Sequence, residues 1–174
     1  MKSAKKIILP GVFTALLIGG QFALSGISGI EIVTVLLLTF VYKYGIKQGL
    51  FVANAFSLIR CFIFGFIPSV LILYLIYYNL FVIVFGLIGN LFNHKYNIKN
   101  HAILIGVAII MTAIFTLTDN ILTPLTYGFT INATKAYFYA SLYTLIPQII
   151  CSIITVLFIF PILLKVLEFD IHGN

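Results

Sequence analysis

Charged residues are scarce in this sequence, and tryptophan is absent. Only 8% of the 174 residues are charged, with four acidic side chains against ten lysines and arginines. Hydrophobic residues make up 62% of the chain, and the mean hydropathy is +1.19. A water-soluble domain of this length could not hide so much apolar surface, because part of any globule faces water. The composition therefore argues against a soluble protein and predicts an integral membrane protein.

Cysteine and the common catalytic motifs are also scarce or missing. The two cysteines, Cys61 and Cys151, lie in apolar segments without a C-x-x-C spacing, which is typical of small buried side chains rather than of a disulfide or metal site. The sequence has no HExxH, no paired-carboxylate metal motif and no P-loop. We therefore expect no enzyme activity, no metal and no cofactor, and any ATP must be hydrolysed by other subunits. The net charge of +6 comes without a basic stripe or a nucleic-acid motif, so no nucleic acid is expected as a partner.

Apolar runs predict one all-α membrane domain over residues 1–174, with six transmembrane helices. The predicted spans are about 7–24, 30–44, 48–66, 69–91, 102–123 and 139–166, with loops at 93–101 and 124–138. Helix two, at about 15 residues, is roughly 22 Å long and shorter than the hydrocarbon core of roughly 30 Å. The irregular segment 25–29 is therefore expected to dip into the membrane region, where it must be buried in protein or line a cavity.

The distribution of cations predicts the orientation. Eight of the ten cations fall on one side of the six-helix plan, and only Arg60 and Lys135 fall on the other. Because cations concentrate in cytoplasmic loops, both termini are predicted to be cytoplasmic. The eight are Lys2, Lys5, Lys6, Lys43, Lys47, Lys95, Lys99 and Lys165. Frequent Ile, Phe, Tyr, Asn and Lys suggest an AT-rich bacterial genome, so the predicted location is a bacterial cell membrane.

Polar side chains inside the helices crowd toward the predicted outer surface. Unpaired polar groups in hydrocarbon cost several kcal/mol, so these side chains must face one another or water. The economical arrangement is a cavity open to the outside and closed below, which suits solute binding rather than a through-channel. The candidate binding residues are Glu31, Asn54, Ser57, Arg60, Tyr74, Tyr78, Asp119, Asn120 and Gln148.

Three of these candidates are ionisable, and each has a structural alternative. Glu31, Arg60 and Asp119 are site candidates because charges inside a membrane are costly, yet they could instead pair with one another or reach the interface. Arg60 could clamp a carboxylate or phosphate through two hydrogen bonds. Tyrosines on helix four could stack on a flat ligand or form an aromatic belt.

Helix one carries small residues at every fourth position, which makes a smooth groove along one face. Such a groove lets another helix approach closely in lipid, either within the chain or in a separate membrane subunit. The four positions are Gly11, Ala15, Gly19 and Ala23.

Three segments carry a family resemblance: Gly29-Ile-Glu-Ile-Val-Thr-Val-Leu-Leu-Leu-Thr39, the turn between Gly45 and Gly49, and Phe64-Gly-Phe66. Together with the six-helix plan, the small-residue stripe on helix one and the outer pocket, they resemble the substrate-binding S components of energy-coupling factor (ECF) transporters. Within that family the sequence is most similar to the cobalamin-type S components. Arg60 departs from the acidic or neutral residue expected in those relatives, which favours a ligand with an anionic group. Tetrapyrroles, pantothenate-like acids and modified-base precursors remain open.

The resemblance implies a subunit of an ABC importer that captures a vitamin or related micronutrient outside the cell. Such a subunit works in the lipid bilayer with a T subunit and two ATPase subunits, and it topples to release the ligand inside. The small-residue face of helix one would meet the T subunit. Ligand contacts would come from the regions 25–31, 57–60, 74–79, 119–127 and 137–148.

Three other functions are weighed against capture. Gly26-Ile-Ser28-Gly29 matches a short phrase of rhomboid proteases, but the histidines at 94, 101 and 172 are predicted to be cytoplasmic, out of reach of Ser28. A stand-alone secondary transporter would show inverted repeats and matching helix breaks, and the two halves show neither. An accessory or structural membrane subunit without a small-molecule ligand remains the alternative.

Overall fold

The computed structural model describes residues 2–27 and 29–172, with side chains for 7–27 and 29–167. Six α-helices make up this part of the chain: α1 (Lys2–Leu24), α2 (Val33–Tyr44), α3 (Ile46–Phe64), α4 (Pro68–Leu91), α5 (Ile98–Tyr127) and α6 (Ile131–His172). Five of them are long and apolar enough to cross a membrane, whereas α2 has only 12 residues. The prediction of an all-helical chain with several membrane-crossing helices is confirmed at this level.

Successive helices run in opposite directions, so their connections gather at two ends of the bundle. The hydroxyl of Tyr42 donates to the carbonyl of Lys95 (2.9 Å), which joins the end of α2 to the loop between α4 and α5. We call this the lysine end, defined by the turn 43–47 and the loop 92–97. The opposite end, defined by the loop 25–32 and the connections 65–67 and 128–130, we call the cavity end.

The short helix α2 lies at the centre of the bundle. Ten of its 12 residues are buried, and it packs against α1, α3, α4 and α6. A helix that is apolar on all sides is expected to be surrounded by others. Toward the lysine end the core is filled by large aromatic side chains that are fully buried, among them Phe40, Phe81, Phe85 and Phe160.

Large apolar side chains also cover the outside of the bundle. Phe62 on α3 is 89% exposed, and Leu125 and Ile98, near opposite ends of α5, are 77% and 76% exposed. Apolar surface of this extent is a hazard in water but is the expected exterior where lipid tails are the solvent. The exterior thus agrees with the membrane character of the five long helices.

The predicted connection 124–138 is wrong, because most of it is helical. Helix α5 continues past Pro124 to Tyr127, where Gly128 adopts the left-handed conformation (φ 62°, ψ 44°) and donates its N–H to the Pro124 carbonyl. The Thr130 hydroxyl accepts the N–H of Ala133 (3.3 Å) and so caps the start of α6. A three-residue turn therefore replaces the long loop, since glycine supplies the positive φ and threonine the cap.

The predicted loop 93–101 is also too long. Two left-handed residues, Asn93 (φ 51°) and His94 (φ 56°), make the turn, and the Asn97 side chain then caps α5 by accepting the N–H of Lys99 (3.1 Å). His101 belongs to α5 and is buried, with Nε2 2.8 Å from the Val156 carbonyl oxygen. A polar side chain that finds a partner on a neighbouring helix need not lie in a loop.

Candidate functional site

A cavity of about 390 Å³ lies at the cavity end of the bundle. All six helices or their ends contribute to its wall, together with the loop between α1 and α2. The wall contains apolar, aromatic and polar side chains, and its polar and ionisable members are Gln21, Ser25, Glu31, Thr34, Arg60, Tyr74, Tyr77, Tyr78, Thr112 and Gln148. Small-molecule sites combine an apolar lining with a few convergent polar groups in this way.

Residues 29–31 of the connection between α1 and α2 form part of the wall and contact α6. Gly29 has φ +81°, and a Cβ atom built on it would lie 2.5 Å from Cβ of Pro147, so no larger residue fits there without a shift. The thiol of Cys151 donates to the Glu31 carbonyl (3.2 Å), and the Glu31 N–H lies 3.4 Å from Sγ. Ser25, Ile27 and Gly29 of the irregular segment predicted between helices one and two are among the residues that line this cavity. Ser28, and with it the protease motif, lies outside the described residues.

Glu31 stands at the entry to α2. Its Oε2 accepts the N–H of Thr34 (2.9 Å), which satisfies one of the free donors at the start of that helix. The partial positive charge of a helix N-terminus stabilises a carboxylate in this position. The arrangement holds one acidic group in the wall of the cavity.

Arg60 lies near the end of α3 and has no anionic partner among the described side chains. Its guanidinium carbon is 4.6 Å from the ring centre of Tyr74 and 5.0 Å from that of Phe64, so the cation rests on two aromatic faces. Its Nε is buried and has no hydrogen-bond partner in this part of the chain. Within the described residues, Arg60 forms no ion pair with Glu31 or Asp119, so the predicted alternative of mutual pairing is not seen.

An aromatic wall faces the cavity, formed by Tyr74, Tyr77, Tyr78 and Phe115. The ring centres of Tyr77 and Phe115 are 4.8 Å apart, and those of Tyr74 and Tyr78 are 5.0 Å apart, with edge-to-face geometry in both pairs. Gln21 donates from Nε2 to the Tyr74 hydroxyl (2.9 Å), while its Oε1 is buried without a partner in the described residues. The cavity therefore presents a flat aromatic surface beside one acceptor without a partner, Oε1 of Gln21, and one donor without a partner, the Nε–H of Arg60.

A second cleft of about 320 Å³ adjoins the cavity. Arg60, Tyr74 and Phe115 line both spaces, so they form a shared partition. On the cleft side, Asp119 accepts from the Thr123 hydroxyl (2.7 Å) through Oδ1 and from the Tyr137 hydroxyl (2.6 Å) through Oδ2. These bonds satisfy the carboxylate within the protein and tie α5 to α6.

The predicted binding residues divide into three groups. Five line the cavity: Glu31, Arg60, Tyr74, Tyr78 and Gln148. Asp119 lines the second cleft. The remaining three line neither space and are held by other protein groups, since Asn54 pairs with Asn79, Ser57 donates to the Ala53 carbonyl, and Asn120 donates to Ser141. A binding role stays a prediction for all nine.

Several cavity residues are absent from the nine named candidates, namely Gln21, Ser25, Thr34, Tyr77, Thr112 and Phe115. Ser25 and Tyr77 do fall within the regions 25–31 and 74–79 that the family resemblance implies for ligand contacts. A signal existed for the polar ones, because they continue the same helical stripes toward the same end. Thr112 is four residues before Thr116 on α5, and Tyr77 is three residues after Tyr74 on α4. Phe115 carries no such signal, since an aromatic residue in an apolar helix has many possible neighbours.

The small-residue face of α1 is uncovered by the described part of the chain. Gly11, Ala15, Gly19 and Ala23 are all exposed. A Cβ atom added to Gly11 or Gly19 would meet nothing within 4 Å, whereas one added to the neighbouring Gly20 would lie 2.6 Å from Cγ2 of Ile32. Internal packing thus uses Gly20 and leaves the four-residue face free.

In comparisons with known proteins, the chain matches no family model, no curated protein and no solved structure. Functional inference therefore rests on the site itself.

Proposed function

We propose that this chain is the membrane-embedded capture subunit of an ECF-type importer, which binds a vitamin-like solute from outside the cell. One observation carries the proposal: a cavity of about 390 Å³ is lined by Arg60, a half-buried arginine that has no anionic partner among the described side chains and whose buried Nε–H is unpaired there. A charge in the membrane region is costly unless it is paired or solvated. A solute that brings an anionic group would supply the missing partner.

The contrast between the two ends of the bundle supports capture rather than a through-channel. The cavity end holds the polar wall, while the core toward the lysine end is packed with buried rings such as Phe81, Phe85 and Phe160. A channel would need polar or open space along its whole length. A bundle that is packed toward the lysine end and hollow at the cavity end can receive a solute from one side only.

The positions of the cations support an outward cavity. Lys47, Lys95 and Lys99 belong to the lysine end, and Lys165 lies on α6 toward the same end. By the positive-inside tendency this end faces the cytoplasm, so the cavity opens outward. The solute then has to be carried through the membrane by a movement of the whole subunit, with energy from two partner ATPases.

The free face of α1 supports docking to a T subunit. Small residues let two helix backbones approach closely, and in lipid such close approach is a main source of helix association. Because the face at Gly11, Ala15, Gly19 and Ala23 makes no use of its small residues within the described chain, a partner helix is the natural occupant.

The proposal is tested by purifying the full chain from its own host in mild detergent and identifying co-purified small molecules by mass spectrometry. We expect one solute to be enriched, and we expect Arg60→Ala to lose it. Lys135→Ala is the matched control, because Lys135 is an exposed cation toward the same end that does not line the cavity. Absence of any enriched solute would favour an accessory subunit instead, and equal retention of a solute by both variants would remove Arg60 from the binding site.

A further inference from the structure

We infer that the cavity accepts a small aromatic or heteroaromatic monocarboxylic acid that also carries an N–H or O–H donor. The inference rests on the proposed function, since it names the chemical class of the captured solute. It follows from four properties of the cavity: its size, the unpaired donor of Arg60, the unpaired acceptor of Gln21, and the aromatic wall.

Size sets the first limit. A volume of about 390 Å³ lies near the lower end of the range of roughly 300–1,000 Å³ for small-molecule sites. A solute with one or two rings fits this space. A corrinoid, with its macrocycle, its side chains and its nucleotide tail, is larger than this space, so corrinoids are disfavoured as ligands.

Charge sets the second limit. Arg60 offers a buried Nε–H with no partner among the described residues, and a carboxylate can accept from Nε and a terminal nitrogen of a guanidinium at once. The same cavity contains the Glu31 carboxyl group, which is held at the start of α2 by the Thr34 N–H. Among the described residues that line the cavity, Arg60 is the one cationic side chain, so a solute with a single negative charge matches it.

The unpaired acceptor requires a donor on the solute. Gln21 uses Nε2 to bond the Tyr74 hydroxyl, so the position of its amide is set and Oε1 is left buried without a partner. An acceptor left unpaired in this environment costs about 1–3 kcal/mol. An amino, hydroxyl or ring N–H group on the solute would remove that cost.

The aromatic wall favours a flat ring. Tyr74, Tyr77 and Phe115 form a continuous set of edge-to-face contacts, with ring centres 4.8–6.0 Å apart. Aromatic pairs gain about 0.5–1.5 kcal/mol beyond the area that they bury, which a saturated ring does not gain. A planar solute is thus preferred over a puckered one of the same size and charge.

The test uses four commercial probes of nearly equal size on the purified full-length chain in detergent. The probes are 4-aminobenzoate, 4-aminobenzamide, benzoate and cyclohexanecarboxylate, and their affinities are compared by calorimetry with ligand-observed NMR for the weak ones. We expect 4-aminobenzoate to bind most tightly. Replacing its carboxylate by the amide should weaken binding about tenfold or more, because a charge-assisted hydrogen bond to Arg60 is lost. Benzoate should bind more weakly than 4-aminobenzoate because it lacks the amino donor. Cyclohexanecarboxylate should also bind more weakly than 4-aminobenzoate, because it lacks both the donor and the planar ring.

Two variants assign the preferences to residues. Arg60→Gln should abolish the preference for acid over amide, while Lys135→Gln should keep it. Gln21→Leu should abolish the preference for 4-aminobenzoate over benzoate and leave the acid preference intact. Circular dichroism and gel filtration identify a variant that fails to fold, and the probe series on the unaltered chain decides the inference without any variant.

The outcomes separate this inference from the capture function. Equal affinity for acid and amide, or for planar and saturated rings, would overturn the inference. Failure of all four probes, with a solute of another class enriched on the purified chain, would overturn the inference and leave capture standing. If all four probes fail to bind and no solute is enriched on the purified chain, both the inferred ligand class and the capture function are overturned.

Discussion

At the scale of single residues, the hydroxyl groups and the amide or charged groups behave differently. Thr39 and Thr112 each return a hydrogen bond to the carbonyl four residues earlier, at 2.7 and 2.9 Å, and so need no partner outside their own helix. Gln21 and Arg60 have more donors or acceptors than one helix can satisfy, and each keeps a buried polar atom without a partner in the described structure, as Gln48, Asn120 and Ser152 also do. Of these five residues, Gln21 and Arg60 line the cavity, so their atoms are the ones that a ligand there could reach.

Gly29 is the position where one methyl group should disturb the site most. Alanine there must adopt φ +81° and place its Cβ 2.5 Å from Cβ of Pro147. The left-handed conformation costs about 1–2 kcal/mol, and the overlap adds to it. We expect Gly29→Ala to lower the thermal midpoint of the purified chain and to weaken solute binding, as measured by scanning fluorimetry and calorimetry.

The matched control for this change lies three residues earlier in the same loop. A Cβ added to Gly26 would meet nothing within 4 Å, and the φ angle of Gly26 lies outside the left-handed region that disfavours alanine. Gly26→Ala should therefore keep both the thermal midpoint and the affinity. Equal behaviour of the two variants would mean that the contact between the loop and Pro147 does not hold the site together.

The candidate site could be predicted from the sequence only in part, and the reason lies with individual residues. Polar stripes led to the correct end of the bundle, and Glu31, Arg60 and Gln148 do line one cavity. Ser57 belongs to the same stripe yet bonds to its own helix, and Asn54 finds a partner on α4. A stripe fixes the face of a helix, but which member faces the void depends on rotamers and neighbours that the sequence does not reveal.

At the scale of helices, α3 and α4 are joined by a reciprocal amide pair. Asn54 donates to Asn79 (3.0 Å) and Asn79 donates to Asn54 (3.2 Å), and each also bonds to a carbonyl of its own helix. We expect Asn79→Leu to lower the free energy of unfolding by about 1–2 kcal/mol, because the amide of Asn54 loses its partner in the membrane region. Steric trapping or denaturant titration in bilayer mimetics measures this change.

The double variant isolates the pair. Asn54→Leu with Asn79→Leu leaves no unsatisfied amide and should cost less than the sum of the two single changes. Strict additivity would show that the two amides do not stabilise each other. Solute affinity is expected to be retained throughout, since neither residue lines the cavity.

Helix existence followed from the apolar runs, but helix ends did not. The segment 131–138 is polar enough to be predicted as a loop, yet the cap from Thr130 and the left-handed turn at Gly128 start α6 eight residues early. At about 1.5 Å per residue, its 42 residues span roughly 63 Å, more than the full thickness of a bilayer with its headgroups. Hydropathy locates the part of a helix in lipid, whereas caps decide where the helix stops.

At the scale of the whole molecule, the bundle has a polar, hollow end, a tightly packed end and one free helix face. The hollow end holds the cavity, and the packed end carries lysines in its turn and loop. The free face belongs to α1, where two adjacent glycines have opposite surroundings. A Cβ on Gly19 meets nothing within 4 Å, and a Cβ on Gly20 meets Ile32 at 2.6 Å. This pair separates docking to a partner from packing within the chain.

If the proposed function holds, we expect Gly19→Leu to abolish co-purification of the proposed T and ATPase subunits from host membranes, together with solute uptake by cells. The purified variant should keep its thermal midpoint and its solute affinity, because the added side chain enters open space on the chain itself. Gly20→Leu, in contrast, should destabilise the purified chain, because the larger side chain overpacks against the Ile32 side chain at the start of α2. We expect it to lower the free energy of unfolding by about 1–3 kcal/mol. If Gly19→Leu retained the partner subunits and uptake, the α1 face would not be the docking surface, and its small residues would need another explanation.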